Sequence, residues 1–230
     1  MDDIVTILNS IKVYLESEKL AGMEDVWIAA PAKETGKKDA VTPANKDNML
    51  RQLKTAAEAC RGCALYKRRT NLVFGSGDPN ARLMFIGEAP GEDEDLQGEP
   101  FVGRAGTLLT RMIEAINLKR QDVYIANILK CRPPNNRSPL PDEIAACRSF
   151  VLRQVDIIRP GVICLLGKFS SQVMTGSQQP IGALRGRFRD IRGIKAMPTF
   201  HPAYLLRNRN DKKLVWEDLK KVRDELKDKQ

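Results

Sequence analysis

Four short apolar runs alternate with stretches of helical spacing, and this alternation constrains the fold more than any other feature of the chain. The runs are RLMFIG (82–87), DVYIANIL (122–129), GVICLLG (161–167) and IKAMPTF (194–200), and the helical patterns cover 105–118, 140–158 and 212–227. Strands that alternate with helices favour a largely parallel sheet with helices on both faces. We therefore predict an α/β fold, a three-layer α/β/α sandwich with a mainly parallel four-stranded central sheet.

The N-terminal part differs from the rest in pattern and composition. Apolar residues at helical intervals predict an amphipathic N-terminal helix within residues 1–28. Residues 29–48 combine Pro, Gly, Lys and small residues without periodicity, which is typical of a linker. We predict one compact domain over residues 49–230. Since the apolar face of the helix must be buried, we expect it to pack against that domain, a second copy or a protein partner.

Charge is unevenly distributed along the chain. Lys and Arg total 38 against 29 Asp and Glu, a net charge of +9, yet residues 1–30 carry −4 (two lysines, six acids), so the remainder carries +13. A basic body favours a polyanionic partner, nucleic acid first, although a merely basic soluble protein has the same composition. No apolar run approaches the ~18 residues that span a bilayer. The first residues carry acids where a signal peptide would carry cations. These features predict a cytoplasmic protein without membrane association.

The spacing of the cysteines indicates a metal centre. Cys60 and Cys63 form a short pair, fifteen residues lie between Cys131 and Cys147, and Cys164 stands alone in an apolar run. Four thiolates can hold zinc or a [4Fe–4S] cluster. A zinc ribbon usually has two short pairs, whereas this chain has one, so the spacing favours iron–sulfur. Zinc and a set of unrelated buried thiols stay as alternatives.

Polar motifs follow the strands, at the edge where parallel sheets bind ligands. The loop after the first strand is acidic and could bind a metal or orient water and a heterocycle. Phe101 in the same loop is either part of a small local core or a stacking platform. Asn127, at the end of the second strand, can read a base edge or cap a turn. His201, the only histidine in the chain, follows the last strand.

The motifs GEAPGEDED, PFVGRAG, NILKCRPPNNR and HPAYLLRN occur in this order and with spacing that resembles the family-four uracil-DNA glycosylases. The resemblance covers about residues 50–225. It implies a monofunctional, monomeric enzyme that hydrolyses the N-glycosidic bond of deoxyuridine in DNA and starts base excision repair in a bacterial or archaeal cytosol, near the nucleoid. It also implies a [4Fe–4S] cluster on Cys60, Cys63, Cys131 and Cys147, with Cys164 free.

The same resemblance assigns the residues of base recognition. It implies that Phe101 stacks on uracil and that Asn127 reads the O4 and N3–H edge, which excludes cytosine. The backbone around Gly87, Glu88 and Ala89 is expected to line the pocket.

For catalysis, the resemblance implies that His201 donates a hydrogen bond to uracil O2, where negative charge develops as the bond breaks. Ala89 stands where other uracil-DNA glycosylases have an aspartate that orients water. Glu88 and Glu94 are the two candidates to replace that aspartate, and the sequence does not choose between them.

The residues after His201 are expected to contact DNA. Leu205 and Leu206 can enter the duplex where the base has left, and Arg207 and Arg209 can bind flanking phosphates. The alternative is that the leucines begin the apolar face of the terminal helix, which we expect of one of them.

Two other functions compete with the glycosylase. One is a DNA-binding module that a cluster stabilises but that has no activity, and the other is a zinc-bound relative with broader base specificity. The presence of His201, Asn127 and Phe101 together favours the enzyme.

Overall fold

Residues 45–227 are described by the structure, a computed structural model, and they form a six-stranded sheet with helices on both faces. The helix predicted at 1–28 and most of the linker predicted at 29–48 lie outside the described residues. The helices are α1 (Lys46–Glu58), α2 (Glu92–Gln97), α3 (Arg104–Glu114), α4 (Pro141–Ile158), α5 (Lys168–Thr175), α6 (Ile181–Leu184), α7 (Pro202–Arg207) and α8 (Lys212–Lys227). Helix α1 thus begins inside the range predicted as linker.

The sheet is mixed. Its strands are β1 (Ser76–Gly77), β2 (Leu83–Gly87), β3 (Tyr124–Asn127), β4 (Val162–Leu166), β5 (Arg189–Ile191) and β6 (Ile194–Thr199), in the order β1-β3-β2-β4-β6-β5. The four inner strands are parallel, and β1 and β5 pair with the sheet in the antiparallel sense. The predicted α/β class is confirmed, but the sheet has six strands rather than four. The two edge strands are too short to leave a periodic signal in the sequence.

Burial on both faces explains why the inner strands are continuous apolar runs. Every residue of β2, β3 and β4 is buried, as in parallel strands that helices cover on both sides. Met84 and Ile86 belong to the core beneath α1, α4 and α5. Leu83 and Phe85 point the other way, into the core beneath α3, α7 and α8. The layers therefore follow from the period of two along each strand.

The parallel strands bring distant motifs to one edge of the sheet. Strand β2 ends at Gly87 and β3 at Asn127, and these two residues are paired in the register of the sheet. Strand β6 ends at Thr199, two residues before His201. The predicted site residues therefore meet at the carboxyl edge. In the described part of the chain, no helix is long and apolar enough to cross a membrane.

The two leucines predicted to contact DNA have different environments. Leu205 is 1% exposed and belongs to the core beneath α8, whereas Leu206 is 38% exposed. The prediction of a DNA contact therefore needs correction for Leu205, because its side chain would have to leave the core to reach a duplex. Leu205 is instead a residue of the apolar core, as the alternative interpretation expected of one of the two leucines.

Leu205→Ala should reduce the free energy of unfolding by ~2–5 kcal/mol, because it leaves a cavity in a packed core. Leu206→Ala should change it by no more than ~0.5 kcal/mol, since the side chain is exposed. Urea unfolding of both variants measures the difference. Equal destabilisation would contradict the assignment of Leu205 to the core.

Candidate active site

A cleft of about 380 Å³ opens at the carboxyl edge of the sheet. Its walls come from four separate segments of the chain. The lining residues include Glu88, Ala89, Gly91, Glu94, Phe101, Asn127, Pro133, Asn136, Arg137, His201, Tyr204 and Arg207. Most of the residues that the sequence predicted for the site are thus brought together. Gly87 lies directly behind the cleft, in contact with two of its lining side chains.

The floor of the cleft contains an unpaired hydrogen-bond acceptor. Asn127 is 1% exposed, and its Oδ1 is the one buried side-chain polar atom without a partner among the described residues. A Cβ at Gly87 would lie 2.3 Å from this oxygen and 2.6 Å from Cζ of Phe101, so only glycine fits there. Leaving a buried acceptor unpaired costs ~1–3 kcal/mol. The amide therefore points to a ligand that supplies a donor.

Phe101 forms one wall of the cleft in an uncommon backbone conformation. Its φ angle is +55°, in the left-handed region, and its side chain is 6% exposed. The Phe101 and His201 rings lie 5.5 Å apart between centroids, at an interplanar angle of 33°. The ring thus belongs to the core and also lines the cleft.

The loop that carries Phe101 is held by the carboxylate of Glu94. Oε1 accepts hydrogen bonds from the backbone N–H of Val102 (2.9 Å) and Gly103 (3.0 Å), and Oε2 accepts from Gly91 N–H (3.0 Å). Both oxygens are therefore engaged in loop structure.

Two further acids of helix α2, Asp95 and Glu92, also have structural partners. The buried carboxylate of Asp95 accepts from the backbone N–H of Thr70 at 3.0 and 3.1 Å. Glu92 pairs with Arg132 at 3.4 Å. The acidic run therefore ties three loops around the cleft.

Glu88 is different from its neighbours. No side-chain hydrogen bond holds its carboxylate among the described residues, and it lines the cleft. Burial raises the pKa of Glu88 to about 7, although the ammonium of Lys168 lowers it in part. Its charge therefore changes near neutral pH.

His201 occupies the N-cap of α7. Its Nδ1 accepts a hydrogen bond from the backbone N–H of Ala203 at 3.1 Å. Burial, with a smaller contribution from Arg207, lowers the pKa of His201 to about 4. The imidazole is therefore neutral at neutral pH, and because Nδ1 is an acceptor, the proton resides on Nε2. Nε2–H is thus the donor that His201 can offer to a ligand.

The strand that leads to His201 is anchored by a buried ion pair that sequence analysis missed. Asp218 of α8 accepts from Thr199 Oγ1 at 2.6 Å, and Arg185 donates to both of its oxygens at 2.6 and 3.1 Å. The available signal was an acid among the apolar positions of α8, between Val215 and Val222. A backbone hydrogen bond from Gly167 to Thr199 (2.8 Å) adds support from the neighbouring strand.

The four cysteines predicted as ligands line one small cavity behind the cleft. They are Cys60, Cys63, Cys131 and Cys147. Arg69 donates to Cys131 Sγ (3.4 Å), and the backbone N–H of Lys130 donates to Cys147 Sγ (3.3 Å). Burial raises the pKa of the Cys147 thiol to about 11. In residues 45–227 no three His, Cys, Asp or Glu side chains are arranged to hold a single metal ion.

Lys130 connects this cavity with the cleft. Its buried ammonium donates to the backbone oxygen of Asn127 (2.8 Å) and to Oε1 of Gln154 (2.6 Å). Burial lowers the pKa of Lys130 to about 7, partly offset by Cys147. Cys164 lies apart from the cavity in β4, where burial raises the pKa of its thiol.

Comparison with known proteins agrees with this geometry. The sequence profile of the Uracil DNA glycosylase superfamily matches residues 74–220. A type-4 uracil-DNA glycosylase of Thermotoga maritima is 45% identical over 186 residues, which cover 79% of this chain and 97% of that protein. Those of Saccharolobus solfataricus (48% identical; 73% of this chain, 82% of the relative) and Archaeoglobus fulgidus (42%; 76% and 90%) are similar.

Matches of this extent define the class of protein: the chain belongs to the uracil-DNA glycosylase superfamily, as a member of its type 4. The family resemblance that the four motifs indicated is therefore confirmed.

Proposed function

We propose that the cleft receives a uracil extruded from DNA, with its N3–H donating to Oδ1 of Asn127. The reaction is the hydrolysis of the N-glycosidic bond of deoxyuridine, which releases uracil, leaves an abasic site and starts base excision repair. The unpaired Oδ1 carries this proposal, because the N3–H of uracil supplies the missing donor, whereas N3 of cytosine is an acceptor. The side-chain N–H₂ of Asn127 is then free to donate to O4.

Phe101 supplies the stacking surface for the extruded base. Its ring is fixed in the wall of the cleft, so stacking requires little further ordering of the side chain. Gly87 and Ala89 leave room for the base next to this ring. Enzymes that act on a base in this way compensate for its unstacking through contacts in a fitted pocket.

His201 stabilises the leaving group. As the glycosidic bond breaks, negative charge develops on uracil O2, and a neutral Nε2–H can donate to it. The low pKa of His201 supports this role, since a neutral imidazole avoids a buried positive charge in the free enzyme. Such a preorganised donor is effective because it does not reorganise during the reaction.

Of the two candidate carboxylates, Glu88 is the one that orients water. Both oxygens of Glu94 already accept backbone N–H groups, three in all, which fix its carboxylate in the loop. Glu88 lines the cleft without such partners. Its ionised form can accept a hydrogen bond from the attacking water, so Glu94 acts as a positioning residue and Glu88 acts in the chemical step.

DNA is held by exposed residues at the end of α7 and just after it. Leu206 enters the duplex as a wedge, while Arg207 and Arg209 contact phosphates. The exposure of all three residues and the position of Arg207 in the lining of the cleft support these roles. Leu205 contributes only through packing.

Cys60, Cys63, Cys131 and Cys147 hold a [4Fe–4S] cluster in this proposal. Two features of the cavity fit such a group: the thiols come from three separated segments, and the guanidinium of Arg69 and the backbone N–H of Lys130 each donate to one of the sulfurs, which compensates thiolate charge. When bound, the cluster cross-links the segment after α1 to α4. None of the reacting atoms needs to contact it. We also infer a monomeric, cytoplasmic enzyme.

Uracil excision from a labelled oligonucleotide, followed by alkaline cleavage of abasic sites, tests the function. His201→Ala should lower the single-turnover rate by ~10²–10³-fold with little change in DNA affinity, since one transition-state donor is lost. Asn127→Asp should slow uracil excision by ~10–100-fold, because the donor to O4 is replaced. Wild-type rates in both variants would overturn the pocket assignment.

The pH dependence tests the assignment of Glu88. If its carboxylate is the active form, kcat/KM should fall about tenfold per pH unit below the free-enzyme pKa of about 7 and level off above it. Glu88→Gln should be slow and should lose this dependence between pH 5.5 and 8, a range in which His201 stays neutral. Glu94→Gln should instead weaken base binding and keep the pH profile. If Glu94→Gln removes the pH dependence instead, Glu94 is the carboxylate that orients water.

Iron analysis tests the cofactor. The anaerobically purified protein should contain about four irons and four sulfides per chain. Cys131→Ser should lower the iron content and the stability, whereas Cys164→Ser, the matched control in β4, should leave iron unchanged. One zinc per chain without iron would overturn the assignment.

A further inference from the structure

Five consecutive residues project from the surface beside the cleft, between the body of α7 and the start of α8. Residues 206–210, here named the wedge loop, comprise the last two residues of α7 and the three residues that follow it. All five are exposed. They comprise one leucine, two arginines and two asparagines. An exposed loop of this kind loses conformational freedom when it enters a duplex, and that loss opposes binding. Contacts that hold the loop before DNA arrives would reduce this loss.

The residues that flank the wedge loop are joined by such a contact. The Tyr204 hydroxyl donates a hydrogen bond to Oδ2 of Asp211 at 2.6 Å. This bond closes the loop at its base. Because the acceptor is a carboxylate, the hydrogen bond belongs to the stronger class. It also raises the pKa of the Tyr204 phenol, so the hydroxyl keeps its proton at neutral pH.

Tyr204 is in turn attached to the body of the protein. Its ring stacks on Phe200 at 4.9 Å between centroids and 27° between planes. The guanidinium of Arg185 lies 5.6 Å from the centre of the Phe200 ring and is itself held by Asp218. The backbone oxygen of Tyr204 also accepts from the N–H (2.9 Å) and the side-chain amide (3.1 Å) of Asn208. Tyr204 therefore connects the wedge loop to a buried ion pair.

We propose that Tyr204 and Asp211 form a clasp that preorganises the wedge loop for insertion into duplex DNA. They are positioning residues for base extrusion and take no part in breaking the glycosidic bond. The inference rests on the proposed role of Leu206 as a wedge. Single-stranded uracil needs no extrusion from a base pair, so the clasp matters for duplex substrates only.

Single-turnover excision from a single-stranded uracil oligonucleotide and from the same strand paired with its complement tests the clasp. Tyr204→Phe removes the hydroxyl but keeps the stacked ring, so the protein should fold, which thermal unfolding checks. We expect Tyr204→Phe and Asp211→Ala each to slow excision from the duplex by ~10-fold, equivalent to ~1.4 kcal/mol. The ratio of the duplex rate to the single-strand rate should fall several-fold, since no base pair is opened in the single strand. The double variant should match the single variants, because one hydrogen bond can be lost only once.

Two further variants make the outcome decisive. Tyr124→Phe deletes a hydroxyl that accepts from Gln154 at 3.3 Å in the core, and it should leave the ratio of duplex to single-strand rates unchanged. Leu206→Ala tests the wedge itself and should lower the ratio of the duplex rate to the single-strand rate. If Leu206→Ala lowers this ratio while Tyr204→Phe and Asp211→Ala do not, the proposed clasp is wrong, but the role of Leu206 as a wedge is supported. If Leu206→Ala has no duplex-specific effect, or if the clasp variants slow both substrates equally, the inference is overturned.

Discussion

The carboxylate of Glu94 holds the wall of the cleft in place, and the geometry of the pocket depends on it. Its three hydrogen bonds to backbone N–H groups fix the two ends of the loop from Gly91 to Gly103. That constraint keeps Phe101 at a positive φ angle with its ring against His201. The ring in turn lies so close to Gly87 that no side chain fits there. One half-buried acid thus determines the shape of a site whose chemistry belongs to other residues.

Glu88 and Glu94 show how environment separates two identical side chains of one loop. Glu94 is surrounded by backbone donors, whereas Glu88 is desolvated without such partners, and the pKa of Glu88 rises to about 7 as a result. Pairs of titratable groups whose surroundings differ in this way commonly divide structural and chemical roles. Neighbouring acids of the same run, such as Asp95, hold other loops and explain why an acidic segment can occur in a basic DNA-binding protein.

His201 links recognition of the base to recognition of the duplex. It ends the segment anchored by Thr199 and Asp218, and it caps α7, which leads directly into the wedge loop. The hydrogen bond that caps the helix also selects the tautomer with the proton on Nε2. On the opposite side of the cleft, Lys130 joins the backbone of Asn127 to the cysteine cavity. Both sides of the site are therefore supported by buried polar groups rather than by the loops alone.

The sequence by itself determined the α/β class, the inner strands, the long helices α3, α4 and α8, and the residues that meet in the cleft. These features depend on periodicity and on the order of motifs, which are local properties of a chain. Only the tertiary structure revealed the edge strands β1 and β5, separated Leu205 from Leu206 and distinguished Glu88 from Glu94. It also supplied the low pKa of His201 and the contact between Tyr204 and Asp211. Burial and hydrogen-bond partners decide these points, and both depend on residues that are distant in sequence and become neighbours only when the chain folds.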